Sequence, residues 1–160
     1  MRGRYENEFE RRTILIRICT IGFTKKSAEV FFTLLRESKV KTLIDTRLNN
    51  ISQLAGFAKR DDLRYFLNEI CGIEYRHELL LAPEQEMLDE RKKRKGSWAA
   101  YESKFLSLIQ ERKIEEAFSP KDLHDSCLLC SEDTPEFCHR RLVLEYLAEK
   151  WDNVEVEHLI

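Results

Sequence analysis

Short apolar runs rich in β-branched residues alternate along this chain with longer segments in which apolar residues recur at helical spacing. Residues 13–20 (TILIRICT) are the first such run, and residues 123–130 (LHDSCLLC) are a later one. Runs of this length are typical of buried strands. Strands that alternate with helices form a mostly parallel sheet joined by right-handed crossovers. The sequence therefore predicts an α/β fold with three layers, in which helices cover both faces of a mostly parallel, five-stranded sheet.

Turn and cap residues set the expected boundaries of these elements. The predicted strands are residues 13–20, 41–45, 73–77, 123–130 and 154–159. The predicted helices begin at the cap or first-turn residues Ser27, Asp61, Pro83, Ser97 and Thr134, and the last is expected to run to about Lys150. Gly72 and Gly96 are expected to end the second and third helices. The alternating pattern of residues 154–159 indicates an edge strand. Residues 1–12 are interpreted as a polar arm, and residues 13–160 as a single domain.

The charge balance restricts the partners that the whole molecule can attract. The chain has 160 residues, with 27 Lys and Arg against 29 Asp and Glu, and a formal net charge of -2. Any nucleic-acid affinity must therefore come from a local basic patch. A basic run at residues 91–95 precedes Trp98 and Tyr101, and such a cluster can bind single-stranded nucleic acid. The simpler interpretation is that the basic residues suit the carboxyl end of a helix and that the aromatic side chains belong to the core.

The cysteine content indicates free thiols and a reducing compartment. The five cysteines, at positions 19, 71, 127, 130 and 138, are odd in number, and their spacing matches no disulfide framework. The amino-terminal residues are charged and lack the apolar stretch of a signal peptide, and no apolar run approaches the roughly 18 residues of a membrane span. The sequence therefore predicts a cytoplasmic protein without a membrane partner, and it predicts no cofactor.

Ionisable and thiol side chains follow the predicted strands at one edge of the sheet. In sheets of this class, ligands bind beyond the carboxyl ends of the strands, near the point where the strand order reverses. The candidate site residues at these ends are Thr20, Gly22, Asp45, Arg47, His77, Cys130 and Glu132, followed by Cys138, His139, Arg140 and Arg141 near the start of the last helix. Because these groups come from distant parts of the chain, their convergence predicts a functional site.

Cys138 is the best candidate nucleophile or redox thiol in the sequence. The predicted helix places it near the first turn, where the helix dipole and the nearby arginines favour a thiolate. In this interpretation Glu132, His139 or Asp45 transfers protons. An anionic substrate would be held by Arg47, Arg140 and Arg141, with Thr20, Gly22, Cys130 and His77 completing the binding site.

Each of these groups also has a purely structural interpretation. Cys138 can be a thiol packed beneath the helix, where it behaves as a small hydrophobic residue. Glu132 can simply pair with Arg140. Asp45 and Arg47 can form an ordinary surface ion pair, because charges after a strand are common. The sequence leaves these alternatives open.

A metal site at the cysteines is the least favoured alternative. Cys127 and Cys130 have the C-x-x-C spacing, but residues three apart on a strand point to opposite faces of the sheet. Cys127, Cys130, Cys138 and His139 are therefore not expected to share an ion, and no metal ligand is predicted. Cys127 is expected to be a core residue. A redox pair of Cys130 and Cys138 would require Cα atoms within about 7 Å of each other.

The predicted last helix also limits which of its first residues act together. Neighbouring side chains on a helix diverge by about 100°. Residues 138–141 therefore cannot all face one site. Cys138 and Arg141, three positions apart, are expected to share a face, whereas Arg140 is expected to reach the cleft by its length.

Taken together, these motifs resemble the bacterial and archaeal family catalogued as domain of unknown function 488. The resemblance is carried by residues 20–22 (TIG), 43–47 (LIDTR), 56–59 (GFAK), 72–77 (GIEYRH) and 81–83 (LAP), by Trp98 with Tyr101, and by residues 128–132 (LLCSE) and 138–141 (CHRR). The Cys-x-Glu motif followed by Cys-His-Arg is the most specific element. The resemblance covers nearly all of the chain after residue 12, and it implies a single α/β domain with an enzyme-like set of motifs but no known reaction.

Two segments depart from the pattern of that family. Phe23 and Thr24 stand where the resemblance leads us to expect His-Ser, which removes a histidine from the turn after the first strand. Residues 79–83 (LLLAP) replace a glycine-rich turn, as in one branch of the family.

The sequence thus predicts a small enzyme that acts on an anionic substrate at the carboxyl edge of the sheet. A nucleotide, a phosphate ester or a nucleic acid would suit the predicted arginines. The alternative is a non-catalytic module that binds a nucleotide or nucleic acid, and a metal-binding structural protein ranks third. The reaction and the oligomeric state are left open.

Overall fold

Five strands form one central sheet, and every neighbouring pair is parallel. The computed structural model describes residues 14–51, 55–93 and 97–160. The strands are β1 (Ile16–Gly22), β2 (Thr42–Asp45), β3 (Glu74–His77), β4 (Ser126–Cys130) and β5 (Val154–Leu159). Their order across the sheet is β3-β2-β4-β1-β5. The predicted parallel sheet is confirmed, and β5 lies at an edge, as its alternating sequence indicated.

Helices connect the strands on both sides of this sheet. They are α1 (Ala28–Ser38), α2 (Arg60–Phe66), α3 (Gln85–Lys93), α4 (Trp98–Glu111), α5 (Ile114–Ala117), α6 (Pro120–Leu123) and α7 (His139–Lys150). A π-helical turn (Leu67–Cys71) extends α2, and short 3-10 turns lie at Gly56–Ala58 and Leu79–Leu81.

Cap residues define several of these helix ends as the sequence predicted. The hydroxyl oxygens of Ser27 and Ser97 accept hydrogen bonds from the amides of Val30 and Ala100, each at 3.2 Å, at the starts of α1 and α4. Gly72 ends the extended α2 with a φ of 62°, a left-handed conformation that glycine adopts without strain. Local chemistry therefore accounts for these boundaries.

The helices build two separate cores, one on each face of the sheet. On one face, α1 and α2 bury Phe31, Leu35 and Leu63 against the strands. On the other face, α4 and α7 bury Phe105 and Leu147. The predicted three-layer arrangement is confirmed.

The central position of β4 explains its apolar sequence and defines the site. All five residues of β4 are buried, because β2 and β1 flank the strand and helices cover both of its faces. The chain leaves β1 and β2 toward the α1 and α2 face but leaves β4 toward α7 on the opposite face. Connections that diverge in this way open a crevice at the carboxyl ends of the strands. Gly22 and Cys130 are register partners at this edge.

The sequence prediction was wrong about where the last helix begins. α7 begins at His139 rather than near Thr134, and residues 131–138 form a loop after β4. The Pro135 carbonyl accepts a hydrogen bond from the Cys138 amide at 3.2 Å, which closes a single turn. Cys138 itself is extended, with φ −134° and ψ 139°. A Thr-Pro pair suits a turn as well as a helix start, because proline presets a φ value that both share.

Other predicted boundaries also shift by a few residues. β1 runs over Ile16–Gly22 rather than over residues 13–20. β4 begins at Ser126, because Pro120–Leu123 form the short helix α6 with Ser119 as its cap. α3 begins at Gln85, two residues after the proline at position 83 that was expected to open it. At β4, part of a short helix next to an apolar run was assigned to the strand.

Among the described residues, no helix combines the length and the apolarity needed to cross a membrane. Residues 1–12, interpreted from the sequence as an arm, lie outside the described residues. The same holds for Arg94 and Lys95 of the basic run, and for Gly96, the expected helix end.

Candidate functional site

A cleft of about 460 Å³ opens at the carboxyl edge of the sheet, where β2 and β4 end and α7 begins. Five of the predicted site residues line it, namely Arg47, Cys130, Glu132, Cys138 and His139, together with the basic Arg91 and Lys92. The fold therefore brings together groups that are up to about ninety positions apart in the sequence.

A buried ion pair forms the β2 side of the cleft. The Arg47 guanidinium donates from Nε and Nη2 to the two carboxylate oxygens of Asp45, at 2.8 and 2.7 Å. The Arg47 amide donates to Oδ1 of the same carboxylate at 3.1 Å. Asp45 is fully buried and Arg47 is 3% exposed, so this pair is not the surface salt bridge of the simpler interpretation. Its hydrogen bonds fix the position of both side chains.

Neighbouring polar groups hold Asp45 in its ionised form. The Tyr75 hydroxyl and Asn50 Nδ2 donate to Asp45 Oδ2 at 2.7 and 3.3 Å. Burial alone would raise the pKa of Asp45, but the hydrogen bonds and charge of Arg47, with the Tyr75 hydroxyl, hold that pKa below its ordinary value of 3.8. These contacts favour a positioning role for Asp45 over the proton transfer that the sequence predicted.

Arg47 keeps one guanidinium nitrogen without a partner. Its Nη1 is buried and makes no hydrogen bond within the described residues. The guanidinium carbon lies 5.2 Å from the ring centre of Phe23, and the Arg47 carbonyl accepts a hydrogen bond from His77 Nε2 at 2.7 Å. A buried donor without a partner is costly unless a ligand supplies an acceptor. Arg47 lines the cleft, so this nitrogen is a candidate donor for an anionic oxygen, and His77 holds the backbone of Arg47.

Cys130 and His139 form a thiol–imidazole pair at the carboxyl end of β4. The Cys130 sulfur lies 3.5 Å from His139 Nδ1. His139 Nε2 lies 3.0 Å from both the carbonyl oxygen and the hydroxyl oxygen of Thr46. Because a carbonyl oxygen only accepts, Nε2 carries the ring proton and the lone pair of Nδ1 faces the sulfur. The imidazole is oriented to take the proton of Cys130.

Cys138 and Arg140 contact each other beside this pair. Arg140 Nη1 lies 3.4 Å from the Cys138 sulfur and donates to the Glu132 carbonyl at 2.7 Å, while Nη2 donates to the Asp133 carbonyl at 3.4 Å. Arg140 is 1% exposed, its Nε has no hydrogen-bond partner, and no carboxylate in the described part of the chain forms an ion pair with it. A buried cation without a carboxylate favours a nearby thiolate or an anionic ligand.

The two thiols at this site differ in acidity. A hydrogen bond from Cys138 lowers the pKa of Cys130 below its ordinary value of 9.0; burial opposes this shift, and the charge of Arg140 adds to it. Burial raises the pKa of Cys138 well above that value, and the neighbouring Cys130 raises it further. Cys130 is therefore the more acidic of the two thiols. The sequence had favoured a thiolate at Cys138, on the expectation that Cys138 lay inside the helix.

Gly22 leaves room for the loop that follows β4. A Cβ at this position would lie 1.6 Å from the Glu132 carbonyl oxygen and 3.0 Å from Arg140 Nη1. Because Gly22 is the register partner of Cys130, the loop passes directly over it. This glycine permits a close backbone approach, which in turn positions Arg140 beside the thiols.

Two predicted substrate-binding residues make their contacts elsewhere. The Thr20 hydroxyl lies 2.7 Å from Nδ1 of His158 on β5. Arg141 donates to both carboxylate oxygens of Glu145 at 2.8 Å. Neither Thr20 nor Arg141 lies in the lining of the cleft. The prediction that Cys138 and Arg141 share a helical face is wrong, because Cys138 is extended and precedes α7.

Basic and aromatic side chains form the outer wall of the cleft. The guanidinium carbon of Arg91 lies 4.9 and 5.1 Å from the ring centres of Trp98 and Tyr101, and its Nη2 donates to the Phe137 carbonyl at 2.9 Å. Tyr101 is buried and Trp98 packs against the same core, as the sequence predicted. The stacked Arg91, with Lys92 beside it, makes this wall positively charged.

A second cavity, of about 670 Å³, lies between α1 and α2. Its lining is mainly apolar and includes Phe32, Phe57 and Phe66, whose rings lie against one another. No cysteine or histidine lines it, so it offers neither a nucleophile nor a base. The smaller cleft at the sheet edge is therefore the candidate active site.

Three residues with clear roles were not assigned any by the sequence. Thr46 orients His139, and its place between Asp45 and Arg47 in the strand-end motif was a usable signal. Asn50 and Tyr75 hold Asp45. Their contribution depends on β3 lying next to β2, and the sequence does not specify this order of strands.

Comparison with known proteins gives one match. The profile of the family described as Domain of unknown function DUF488 matches residues 27–147, well over half of the chain. No curated protein and no solved structure gave a significant match. The matched segment contains the cleft residues of β2, β4 and α7. The chain therefore belongs to the DUF488 family.

Proposed function

We propose that this protein is a thiol-dependent enzyme that hydrolyses a phosphate ester in the cleft at the carboxyl edge of its sheet. The observation that carries the proposal is the 3.5 Å contact between Cys130 Sγ and His139 Nδ1, in a cleft that also presents Arg47 with an unpartnered guanidinium nitrogen. A thiol with an oriented base and an adjacent anion-binding group is the arrangement that nucleophilic attack on an anionic ester requires.

The arginines supply the affinity for an anionic substrate. Arg47 Nη1 lacks a partner within the described residues, and a phosphate oxygen would satisfy it. Arg140 is buried without an ion pair to any described carboxylate, so its charge stabilises negative charge that develops at the sulfur or the ester. Arg91 and Lys92 add positive charge at the outer wall, where they attract an anion into the cleft.

In the first step, the Cys130 sulfur attacks the phosphorus atom of the ester. His139 Nδ1 takes the thiol proton as the S–P bond forms, and the P–O bond breaks with its electron pair on the leaving oxygen. The imidazolium then gives its proton to that oxygen, so a neutral alcohol departs. Thr46 keeps the ring in place throughout by accepting a hydrogen bond from Nε2 at 3.0 Å.

In the second step, water cleaves the thiophosphate. The exposed side chain of Glu132 lines the cleft and takes a proton from the attacking water, the role that the sequence predicted for it. The S–P bond breaks, and its electron pair returns to Cys130 as a thiolate. Inorganic phosphate leaves, and the proton on Glu132 passes to the Cys130 thiolate, which restores the starting state.

Cys130, rather than Cys138, has the geometry of the nucleophile in this proposal. The Cys130 sulfur lies 3.5 Å from Nδ1, on the lone-pair side of His139, and Cys130 stands at the end of β4, where substrates bind to parallel sheets. Cys138 is 1% exposed, its pKa is raised by burial, and it donates a hydrogen bond to the neighbouring Cys130 sulfur. The proposed nucleophile is therefore Cys130 rather than the Cys138 that the sequence predicted, whereas the predicted class of anionic substrate is unchanged.

The test is the cleavage of p-nitrophenyl phosphate and bis(p-nitrophenyl) phosphate, with uncharged p-nitrophenyl acetate for comparison. The assay uses chelator-treated protein. We expect turnover of a phosphate ester, and we expect Cys130→Ala to reduce it by about 10³-fold or more. Cys127→Ala is the matched control, because this cysteine lies on the same strand, is also buried and faces the opposite core. Its activity should stay within about twofold of wild type.

Two results would overturn the proposal. One is turnover of a phosphate ester that Cys130→Ala leaves unchanged, which would separate the activity from the thiol. The other is cleavage of neither phosphate ester by protein whose Cys130 is alkylated rapidly, which would show a reactive thiol with no phosphoryl transfer.

A second candidate function is non-catalytic binding of a nucleotide or nucleic acid. The stacked Arg91 and adjacent Lys92 on the cleft wall favour it. This candidate requires binding to single-stranded DNA or RNA that weakens steeply with salt and is lost in Arg91→Ala with Lys92→Ala. If the protein binds neither DNA nor RNA at low salt, this candidate function is excluded.

A further inference from the structure

We propose that Cys130 Sγ, Cys138 Sγ and His139 Nδ1 together form a binding site for a zinc-class metal ion, with the fourth position open to the cleft. The inference goes beyond the enzymatic proposal, because it adds a ligand that neither the family nor the reaction assigns. Thiolate and imidazole groups are the ligands that Zn²⁺ prefers, and three protein ligands with one open position are typical of accessible zinc sites.

The distances fit tetrahedral coordination. With bonds of about 2.3 Å to sulfur and about 2.05 Å to nitrogen, a tetrahedral zinc ion separates a sulfur from a nitrogen ligand by roughly 3.6 Å and two sulfurs by roughly 3.8 Å. The Cys130 sulfur and His139 Nδ1 are 3.5 Å apart. All three ligand atoms lie within 4.8 Å of one another. The Cys130–His139 edge of the site is therefore preformed, and Cys138 completes it with a small adjustment.

The orientation of His139 supports the same inference independently. A histidine that binds metal through one nitrogen typically donates the proton of its other nitrogen to a carbonyl oxygen. His139 Nε2 makes this contact with the Thr46 carbonyl at 3.0 Å, and Thr46 in turn is held by hydrogen bonds from its amide and hydroxyl to the Leu129 carbonyl. The lone pair of Nδ1 is thereby aimed at the two sulfurs. The backbone of β4 and β2 fixes this direction.

The charges at the site also balance. Two thiolates and one Zn²⁺ ion are neutral together, and the proton of each thiol leaves to solvent on binding. The buried Arg140 then donates from Nη1 to the Cys138 sulfur at 3.4 Å, a contact that stabilises a coordinated thiolate without opposing a net positive charge.

Cys127 does not belong to the site. It lies on the same strand as Cys130 but in the core under α1 and α2, whereas His139 and Cys138 lie on the α7 side. The four-ligand zinc site considered from the sequence is therefore reduced to three ligands. All three line the cleft, so an ion has a route from solvent.

Metal binding has one consequence that rests on the proposed function. Coordination uses the electron pair with which Cys130 would attack a substrate, so a bound ion reversibly inhibits the thiol enzyme. Removal of the ion restores the nucleophile.

The experiment is a titration of the full-length, chelator-treated protein with Co²⁺, followed by displacement with Zn²⁺. The wild type should bind one equivalent and develop thiolate-to-cobalt charge-transfer absorption with the strong visible bands of tetrahedral cobalt. Cys127→Ala should give the same spectrum and affinity. Cys138→Ala should weaken binding by about 100-fold or more, because it removes a direct ligand.

A second measurement needs no variant. One equivalent of Zn²⁺ should protect Cys130 of the wild type from alkylation, and EDTA should reverse the protection. Absence of the thiolate band in the wild type, unchanged affinity in Cys138→Ala, or alkylation of Cys130 at the same rate with Zn²⁺ present would each overturn the site.

The metal titration and the ester assay test the two proposals independently. The cobalt spectrum requires no substrate, and the ester assay is run without metal. A cobalt spectrum without ester cleavage would remove the proposed function and leave the metal site. Ester cleavage without a cobalt spectrum would leave the enzyme and remove the metal site.

Discussion

Cys127 and Cys130 lie three residues apart on β4, and both are buried, yet their surroundings differ completely. Cys127 faces the apolar core under α1 and α2, and burial raises its pKa well above the ordinary value of 9.0. Cys130 ends the strand, where a hydrogen bond from Cys138 and the charge of Arg140 lower its pKa despite equal enclosure.

The difference shows that burial alone does not determine the chemistry of a thiol in this fold. In the middle of a parallel strand, backbone groups are used by the sheet and only apolar side chains remain. At the carboxyl end, loop amides, the start of α7 and buried arginines become available. An acidic thiol therefore requires the strand end, and the interior position supplies the natural control.

Gly22→Ala should have the largest effect, because it disturbs the loop next to Cys130. The new methyl group would lie 1.6 Å from the Glu132 carbonyl oxygen, so the loop that positions Arg140 must move. We expect a loss of about 4 kcal/mol in the free energy of unfolding, measured by urea denaturation. Gly56→Ala is the control, because a Cβ there meets nothing within 4 Å. Equal stability of the two variants would show that the loop yields without cost.

Asp45→Asn tests the buried Asp45–Arg47 ion pair at the end of the neighbouring strand, β2. It leaves the buried Arg47 without its counter-charge, and we expect a loss of about 3 kcal/mol at pH 7. Glu145→Gln removes the partner of Arg141 from a more exposed pair and should cost less than about 0.5 kcal/mol.

The effect of Asp45→Asn should depend on pH in one direction. Because the folded-state pKa of Asp45 is lowered, its ionisation stabilises the fold fully above pH 3.8, and this contribution is lost as the pH falls through the folded-state value. The difference in the free energy of unfolding between variant and wild type, measured by urea denaturation, should therefore become smaller at acidic pH. A gap that stays constant down to pH 2 would contradict this assignment.

Arg140→Gln should bring Cys130 closer to the behaviour of Cys127. Loss of the buried charge raises the pKa of Cys130, which lowers its thiolate fraction at pH 7. The rate of Cys130 alkylation at pH 7, followed by mass spectrometry, should therefore fall severalfold. Arg141→Gln removes the adjacent arginine, which pairs with Glu145 instead, and should leave the rate unchanged. Equal rates in the two variants would exclude Arg140 as the source of the effect.

Cys127→Ala, apart from the control variants, should have the smallest effect. It removes one buried sulfur from an apolar core, and we expect a cost of about 1 kcal/mol in thermal or urea unfolding. The alkylation rate of Cys130 should not change. A clear change in that rate would mean that the two faces of the sheet are coupled.

The sequence predicted the sheet edge better than it predicted the site within it. The strand ends were recognisable because β-branched runs stop at polar residues such as Asp45 and Cys130, and the parallel-sheet rule converts those ends into neighbours. The strand order was not accessible from the pattern. For that reason the support of Asp45 by Tyr75 on β3 could not be predicted.

The start of α7 accounts for the largest error at the site. Thr134 with the following proline suits both a helix cap and a turn, and the choice depends on Arg140 anchoring the loop to the Glu132 carbonyl. A tertiary contact of a buried arginine is not encoded in local propensity. With the helix cap placed at Thr134, four residues before the observed cap, Cys138 was assigned to a helical turn, and the more acidic thiol was expected there instead of at Cys130.

The most direct test of the account is the site-resolved alkylation of native, metal-free protein by iodoacetamide at pH 7, with each cysteine followed by peptide mass spectrometry. We expect Cys130 to be labelled first, at least about tenfold faster than Cys138, and Cys127 to stay unlabelled until the protein unfolds. Labelling of Cys138 before Cys130, or labelling of Cys127 at the rate of Cys130, would contradict it.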